Sequence, residues 1–443
     1  MKTAGIIAEY NPFHKGHAYQ IQYAKEVLGA DHIIVAMSGD YVQRGAPALF
    51  PKHLRAEMAL RCGADLVLEL PVCISTASAE IFARGAVQLL DSLGVVDMLC
   101  FGSEAGNLSG LLKLAQILAE EPGDYQRLLR ESLASGNSFP AARSQALFAY
   151  CRNLSGAPAA SGEAGPAFLD ELSHLLSSPN NILGLEYCKA LLTLHSSILP
   201  VTLKREGAGY HDPNLSPDRF ASASAIRRAL NRLSQTADQA CTDPSAVQQL
   251  SDAAKELDMS HLYGQIPEAA RSLFGNAVSQ RSWITEQDFD TVLHYCLLSR
   301  SEDELVRYLD MSPALARRIA NHLGGYNGFS SFCDLLKTRE LTYTRIRRAL
   351  LHALLGIESV PESLSCARVL GFRKSSSSLL SEIKKRSQIP LLTRAGEAAS
   401  LLSPENLTAF RETVFASNLY EGILSRKTGQ PFVHEYRKQV RII

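Results

Sequence analysis

Gly5-Ile6-Ile7-Ala8-Glu9-Tyr10-Asn11-Pro12-Phe13-His14-Lys15-Gly16-His17 is the stretch from which the rest of the chain can be placed. A short apolar run of strand length meets a turn at Pro12, and a helical pattern begins directly after it. His14 and His17 stand three apart at that helix start, so both imidazoles can face one point beyond the strand's carboxyl end, where open α/β sheets bind ligands. Gly16 leaves the backbone open to a phosphate or adenine, and unpaired N–H groups of a first helical turn favour an anion. This reads as a nucleotide phosphate site. His14, His17 and Lys15 are its candidate catalytic donors, suited to charge growing on phosphate during attack at the α-phosphorus of ATP. The competing structural reading makes His14 a helix cap and His17 a satisfied core histidine.

Outward from this stretch, apolar runs near 4–9, 32–37, 65–70 and 96–101 alternate with helical patterns at about 15–28, 51–62 and 77–93. Such βα spacing predicts an α/β fold with a parallel, doubly wound sheet. Residues 107–133 read as helix, 153–165 have linker composition, and a helix at about 180–195 leads to a further strand at 198–204. After Ala223 the pattern is helical almost to the end with no convincing run of strands. Two units are expected, 1–230 and 231–443.

The bulk composition excludes several classes. Apolar residues make up 46% and charged residues 20% of 443, values of an ordinary globular chain rather than a disordered or fibrous one. Lys plus Arg equals Asp plus Glu at 45 each, so a nucleic-acid partner must be met by a local patch. Nine cysteines without a C-x-x-C pair give neither a disulfide framework nor a zinc knuckle. No stretch of about 18 apolar residues occurs, and a cytoplasmic protein without membrane or obligate protein partner is expected.

Other segments fall where a crevice would lie. Gly102-Ser103-Glu104 follows the fourth strand and can reach adenine or ribose; Ser103 alone would suit a turn cap. Asn180 opens a helix, and Arg205 follows the last strand with a planar cation suited to phosphate. Ser38–Gly45 edges the same crevice and can hold or cover a second substrate. Ser222, Ser224 and Arg227 again set hydroxyls and a cation at a helix start. In the second half, residues 337–396 hold twelve Lys or Arg against four Glu, a net +8. Arg345, Arg348 and His352 share the polar side of an amphipathic helix, and with Arg347, Lys384, Lys385 and Arg386 they suggest a surface for RNA phosphates.

Gly5–His17, the Ser38–Gly45 loop, Arg55-Ala56, 64–71, Gly102–Glu104, Pro179–Glu186 and 204–212 together closely resemble the bacterial tRNA(Met) cytidine acetate ligases over most of the chain. The resemblance implies a Rossmann-like nucleotidyltransferase domain followed by a mostly α-helical C-terminal region. It implies that ATP and acetate form acetyl-adenylate, and that the acetyl group passes to N4 of the wobble cytidine of elongator tRNA(Met). Its ATP contacts fall on Ile7, Ala8, Glu9, Tyr10, Asn11, Pro12, Phe13, His14, Lys15, Gly16, His17, Ala18, Tyr19 and Gln20, with Gly102, Asn180 and Arg205. Lys15 and Asp40 stand where the family more often carries Asn. Mg²⁺ is expected with ATP, although no ligand set for a metal is visible. From the residues alone, two other readings stay open: a small-molecule nucleotidyltransferase of cofactor synthesis, and a non-catalytic nucleotide-dependent RNA-binding protein.

Overall fold

The computed structural model describes residues 1–155, 172, 173, 175, 176, 178–205, 222–242 and 259–443. One mixed sheet organises them. Strands β1 (Thr3–Ala8), β2 (His32–Ser38), β3 (Leu66–Leu70), β4 (Met98–Ser103) and β5 (Leu199–Lys204) run parallel, and β6 (Ala367–Phe372), β7 (Leu391–Leu392) and β8 (Arg441–Ile442) extend the sheet. The spatial order is β8-β6-β3-β2-β1-β4-β5, with β7 also on β6. Chain order reverses at β1, because β2 and β3 lie to one side and β4 and β5 to the other, and the crevice of such a sheet opens there.

The helices used below are α1 (Lys15–Glu26), α2 (Lys52–Arg61), α3 (Ala79–Asp91), α4 (Phe139–Ser155), α5 (Pro179–Thr193), α6 (Ala223–Thr242), α7 (Tyr343–Leu355) and α8 (Pro404–Thr428). Alternate residues of each strand enter different cores, as a pleat of period two requires. Ile7, Ile34 and Ala36 face a core that includes Leu90, Leu293 and Leu350. Ile6, Ile33 and Val35 face another that includes Phe274, Trp283 and Leu370. The C-terminal half therefore helps to cover both faces of the sheet, which explains why the parallel strands are continuously apolar.

Two expectations change. The absence of strands after Ala223 is overturned by β6, which pairs antiparallel with β3 from Leu66↔Phe372 to Glu69↔Arg368. Arg368 interrupts the apolar pattern of this strand, and its partner Glu69, 3.0 Å away, cannot be anticipated from the segment itself. Residue 230 consequently does not divide sheet from helices, since residues 367–372 and 441–442 return to the sheet. The single helix over 107–133 is two, Leu108–Glu120 and Gly123–Ala134, because Glu121 turns left-handed (φ 45°) and Pro122 cannot continue the first. Most of the linker-like segment and residues 206–212 lie outside the described residues. Among the described residues, no helix is long and apolar enough to cross a membrane.

Candidate active site

β1 stops at Ala8, and the chain turns through Tyr10 and a cis Asn11–Pro12 bond to His14, the N-cap of α1. Tyr10 and Phe13 are buried edge-to-face with ring centroids 4.7 Å apart, and Tyr10 meets His17 at 4.9 Å, so apolar packing fixes the turn. His14 Nδ1 accepts the Gly16 N–H at 3.0 Å, and His17 Nδ1 accepts the His14 N–H at 3.3 Å. This is a capping box made of two imidazoles. Their rings stack with centroids 3.8 Å apart.

The cap sets the chemistry of the pair. A neutral imidazole whose Nδ1 accepts a hydrogen bond carries its proton on Nε2, so both rings offer Nε2–H as a donor. Burial lowers the His14 pKa to about 3, and the cations Arg205 and Arg227 push the same way. Burial, then His14 and Arg205, hold His17 well below its ordinary value too. Both are neutral donors at pH 7. Capping and ligand binding are thus not alternatives, because they use different nitrogens.

The first-turn N–H groups, by contrast, are not available to an anion. Lys15 N donates to Gln265 O at 2.9 Å, Gly16 N to His14 Nδ1, and His17 N and Ala18 N to His14 O at 2.9 and 3.2 Å. Gly16 is required by the cap itself, since a Cβ there would sit 2.9 Å from His14 Cε1.

Both histidines line a cavity of about 910 Å³, with Ile7, Ala8, Glu9, Tyr10, Asn11 and Gln20 from the expected nucleotide segment. Pro12, Phe13, Lys15, Gly16, Ala18 and Tyr19 are not on its wall. Lys15, expected among the catalytic groups, is the first residue of α1 and is not among the residues that line the cavity.

Gly102, Asn180 and Arg205 reach the same cavity, as do Ser222, Ser224 and Arg227. Arg205 lies across Gly102, where a Cβ would be 3.2 Å from its Cγ. Arg227 donates to Asn11 O at 2.6 Å and to Ser224 Oγ at 3.0 Å, tying the start of α6 to the turn after β1. Glu104 accepts from Asn180 Nδ2 at 2.6 Å and Asn181 N at 2.9 Å, so it caps α5 and aims Asn180. Ser103 is buried and bonds Thr202 Oγ1 at 2.7 Å. In the loop after β2, Tyr41–Val42 pairs with Ala46–Pro47 as a short hairpin, and Gln43 N donates to Glu9 Oε1 at 3.0 Å. Gln43 and Arg44 reach the cavity wall.

The start of α7, including Thr344, Arg345, Arg347 and Arg348, also lines the same cavity. Its expected free basic side is corrected. Arg347 pairs with Glu286, and Arg348 holds both oxygens of Asp310 at 2.8 and 3.2 Å. His352 is fully buried, bonded to Leu309 O at 2.9 Å and to Thr76. Among the described residues the Arg345 side chain makes a long contact from Nε to Asp310 O, 3.5 Å. Lys384, Lys385 and Arg386 are exposed on the helix Ser377–Arg386 and lie off the cavity; Glu382 meets Lys385 and Arg386. The expected separation of the nucleotide segment from the basic helix also fails, since one cavity holds both. Arg143 and Glu286 belong to no motif visible in the sequence, and Glu186 stood unremarked at the end of the Pro179–Glu186 segment.

The family described as HIGH Nucleotidyl Transferase matches residues 1–432. A tRNA(Met) cytidine acetate ligase of Acetivibrio thermocellus is 35% identical over 443 residues, covering 98% of each chain. One of Caldanaerobacter subterraneus subsp. tengcongensis is 37% identical over 424 residues, covering 95% of each. The chain belongs to the tRNA(Met) cytidine acetate ligase family. Thermotoga maritima TmcAL in its apo form superposes with a TM-score of 0.86 at 28% identity, covering 100% of both chains. TmcAL bound with alpha-thio ATP gives 0.83 at 29% identity over the same coverage. In this member of the tRNA(Met) cytidine acetate ligase family the paired imidazoles and the start of α7 line one cavity.

Proposed function

We propose that the protein is an ATP-dependent acetate ligase that makes acetyl-adenylate and transfers the acetyl group to N4 of the wobble cytidine of elongator tRNA(Met). The carrying observation is that one cavity is lined both by two neutral Nε2–H donors and by the cationic start of α7. Acetate oxygen attacks the α-phosphorus and pyrophosphate leaves; the cytidine amine then attacks the acetyl carbon, AMP leaves, and one amine proton is released. Two Nε2–H groups suit the first step because they donate to oxygens that gain charge and need no proton transfer of their own. Incubation with ATP, labelled acetate and total tRNA, followed by nucleoside digestion, tests this directly. Acetylated cytidine is expected, and pyrophosphate release that is blind to acetate but driven by a phosphorylated metabolite would favour a small-molecule nucleotidyltransferase instead.

The nucleotide's proposed contacts are His14, His17, Gly102, Asn180 and Arg205, with Ser222, Ser224 and Arg227 adding phosphate donors. Among the described residues no group of three or more His, Cys, Asp or Glu could hold a metal. Mg²⁺ therefore fits as an ion carried by the nucleotide's phosphates, which it commonly is. Arg205→Ala is expected to raise the apparent KM for ATP about tenfold, the scale of one charge-assisted hydrogen bond. Its tRNA affinity, measured by filter binding, should stay within about twofold of wild type; loss of tRNA affinity without a KM change moves Arg205 to the RNA side.

Among the described residues Arg345 is the α7 arginine without an acidic partner, and it is the proposed RNA phosphate contact at the cavity; Lys384, Lys385 and Arg386 are proposed to meet the RNA backbone outside it. Arg345→Ala should flatten the slope of log K against log salt for tRNA by about 0.7–0.9, one released counterion. An unchanged slope assigns Arg345 to packing alone. Arg347 and Arg348, engaged by Glu286 and Asp310, act on RNA through the shape of α7.

A further inference from the structure

We propose that Arg143 and Glu186 read the Watson–Crick edge of the target cytosine. This inference rests on the ligase reading above and names the part of the same cavity that receives the base. Glu186 on α5 is 1% exposed and pairs with Arg143 on α4, and both lie on the cavity wall. Arg143 Nη1 meets Glu186 Oε1 and the guanidinium also hydrogen-bonds the buried Tyr125 side chain, yet Arg143 Nη2 and Glu186 Oε2 are buried without a hydrogen-bond partner among the described residues. A buried ionic donor and acceptor both left unsatisfied are costly, and native proteins rarely tolerate them without a use.

An acceptor beside a donor is the order that guanine presents to cytosine. The carboxylate oxygen can accept from N4–H, and the guanidinium can donate to N3 or O2. Uracil reverses the pattern, setting a carbonyl oxygen against the carboxylate and an N–H against the guanidinium. Phe82, Phe139 and Tyr187 also line the cavity and offer apolar faces to an unstacked base.

ATP has its own place on the same helix. Asn180 and Glu186 are six residues apart on α5, roughly 9 Å along its axis. At about 910 Å³ the cavity lies near the top of the roughly 300–1,000 Å³ range for ligand pockets, leaving room for a base beside a nucleotide. Specific recognition of RNA bases uses splayed, single-stranded nucleotides, and a wobble base belongs to such a loop.

The test uses the full-length protein with a non-hydrolysable ATP analogue and two anticodon stem-loops that differ only by cytidine or uridine at the target position. Wild type is expected to bind the cytidine form at least about fivefold more tightly, the lower end of what one good bidentate contact discriminates. In Glu186→Gln the ratio should fall to about one, while acetyl-adenylate formation without RNA is retained. Arg143→Lys keeps a cation beside Glu186 but loses the second planar donor; its ratio should fall as well, which keeps the test decisive if Glu186→Gln folds poorly. A wild-type ratio in the folded variants overturns the proposal. So does a raised KM for ATP with the ratio intact, because adenine also shows a donor beside an acceptor and the pair would then serve ATP. Wild-type acetyl-adenylate formation tests the ligase reading separately: its absence removes both readings, whereas an unchanged ratio with acetyl-adenylate formed removes this one alone.

Discussion

His17→Ala is expected to lower acetate-dependent pyrophosphate release at least a hundredfold, with the far-UV circular dichroism unchanged. The magnitude is that of removing one donor aimed at charge that grows in the transition state, about 10²–10³ in rate. His14→Ala should cost a similar factor in rate and also roughly 1 kcal/mol of stability, because it removes the cap on Gly16 N as well as the second Nε2–H. The rate profile adds an independent readout. With its pKa lowered to about 3, His14 does not change charge between pH 5 and 8, and burial holds His17 well below its ordinary value as well. Acetyl-adenylate formation should therefore show no inflection there from His14. Stability should behave differently. The unfolded imidazoles take up protons below about 6.5 while the folded ones do not, so the stability these groups contribute is full above that pH and is lost as pH falls toward 3. The denaturant midpoint of wild type should drop from pH 7 to pH 5, and the drop should be smaller in the double alanine variant. Near-normal pyrophosphate release in both single variants removes the two histidines from the chemistry.

The parts of the site that were legible in the sequence are those held by local rules. A strand, a turn with proline and two histidines one helical turn apart are contained in thirteen residues, and the structure brings both rings to one point. The same holds for Gly102, Asn180 and Arg205, which lie at the end of a strand, at the start of a helix and directly after a strand at the crevice. The illegible parts depend on distant partners. Nothing near Arg347 or Arg348 shows that Glu286 and Asp310 will engage them, and nothing near His352 shows that Thr76 will bury it. The availability of first-turn N–H groups failed for a subtler reason, since the His14 side chain and carbonyl take three of them and the distant Gln265 carbonyl takes the fourth. The strand at 367–372 was hidden by Arg368, whose charge is matched only once β3 lies beside it.

That buried charge is part of a cluster whose disruption should give the largest loss of stability. Lys52 is fully buried, and its Nζ lies 2.7 Å from Glu69, 2.8 Å from Glu435 and 2.8 Å from Ser417 Oγ, with Asp40 at 3.9 Å. One ammonium thus joins α2, β3, α8 and the C-terminal tail to the loop after β2. Lys52→Met should destabilise the protein by about 3–5 kcal/mol at pH 7, the cost of removing one partner from a buried ion pair and leaving the others uncompensated. Arg368 and His53 keep the remaining carboxylates from being wholly unpaired, so unfolding at room temperature is not required. The pH dependence identifies the mechanism. Burial alone would raise the Glu435 carboxyl, but Lys52, His53 and Arg368 hold it well below the ordinary 4.5. A lowered carboxyl contributes stability above about 4.5 that is lost as pH falls, whereas the variant has already lost most of that contribution. The gap between wild type and Lys52→Met should therefore hold from pH 7 to about 4.5 and narrow as pH is taken below that, measured by denaturant midpoints. A gap below about 1 kcal/mol at pH 7, or one that does not narrow, contradicts an ionic role for the cluster. The effect should reach the active site as well, because Asp40 accepts Lys52 N at 2.8 Å and the same loop sets Gln43 against Glu9 at the cavity wall. Loss of the buried ammonium should thus raise the KM of the reaction at temperatures where the variant is still folded.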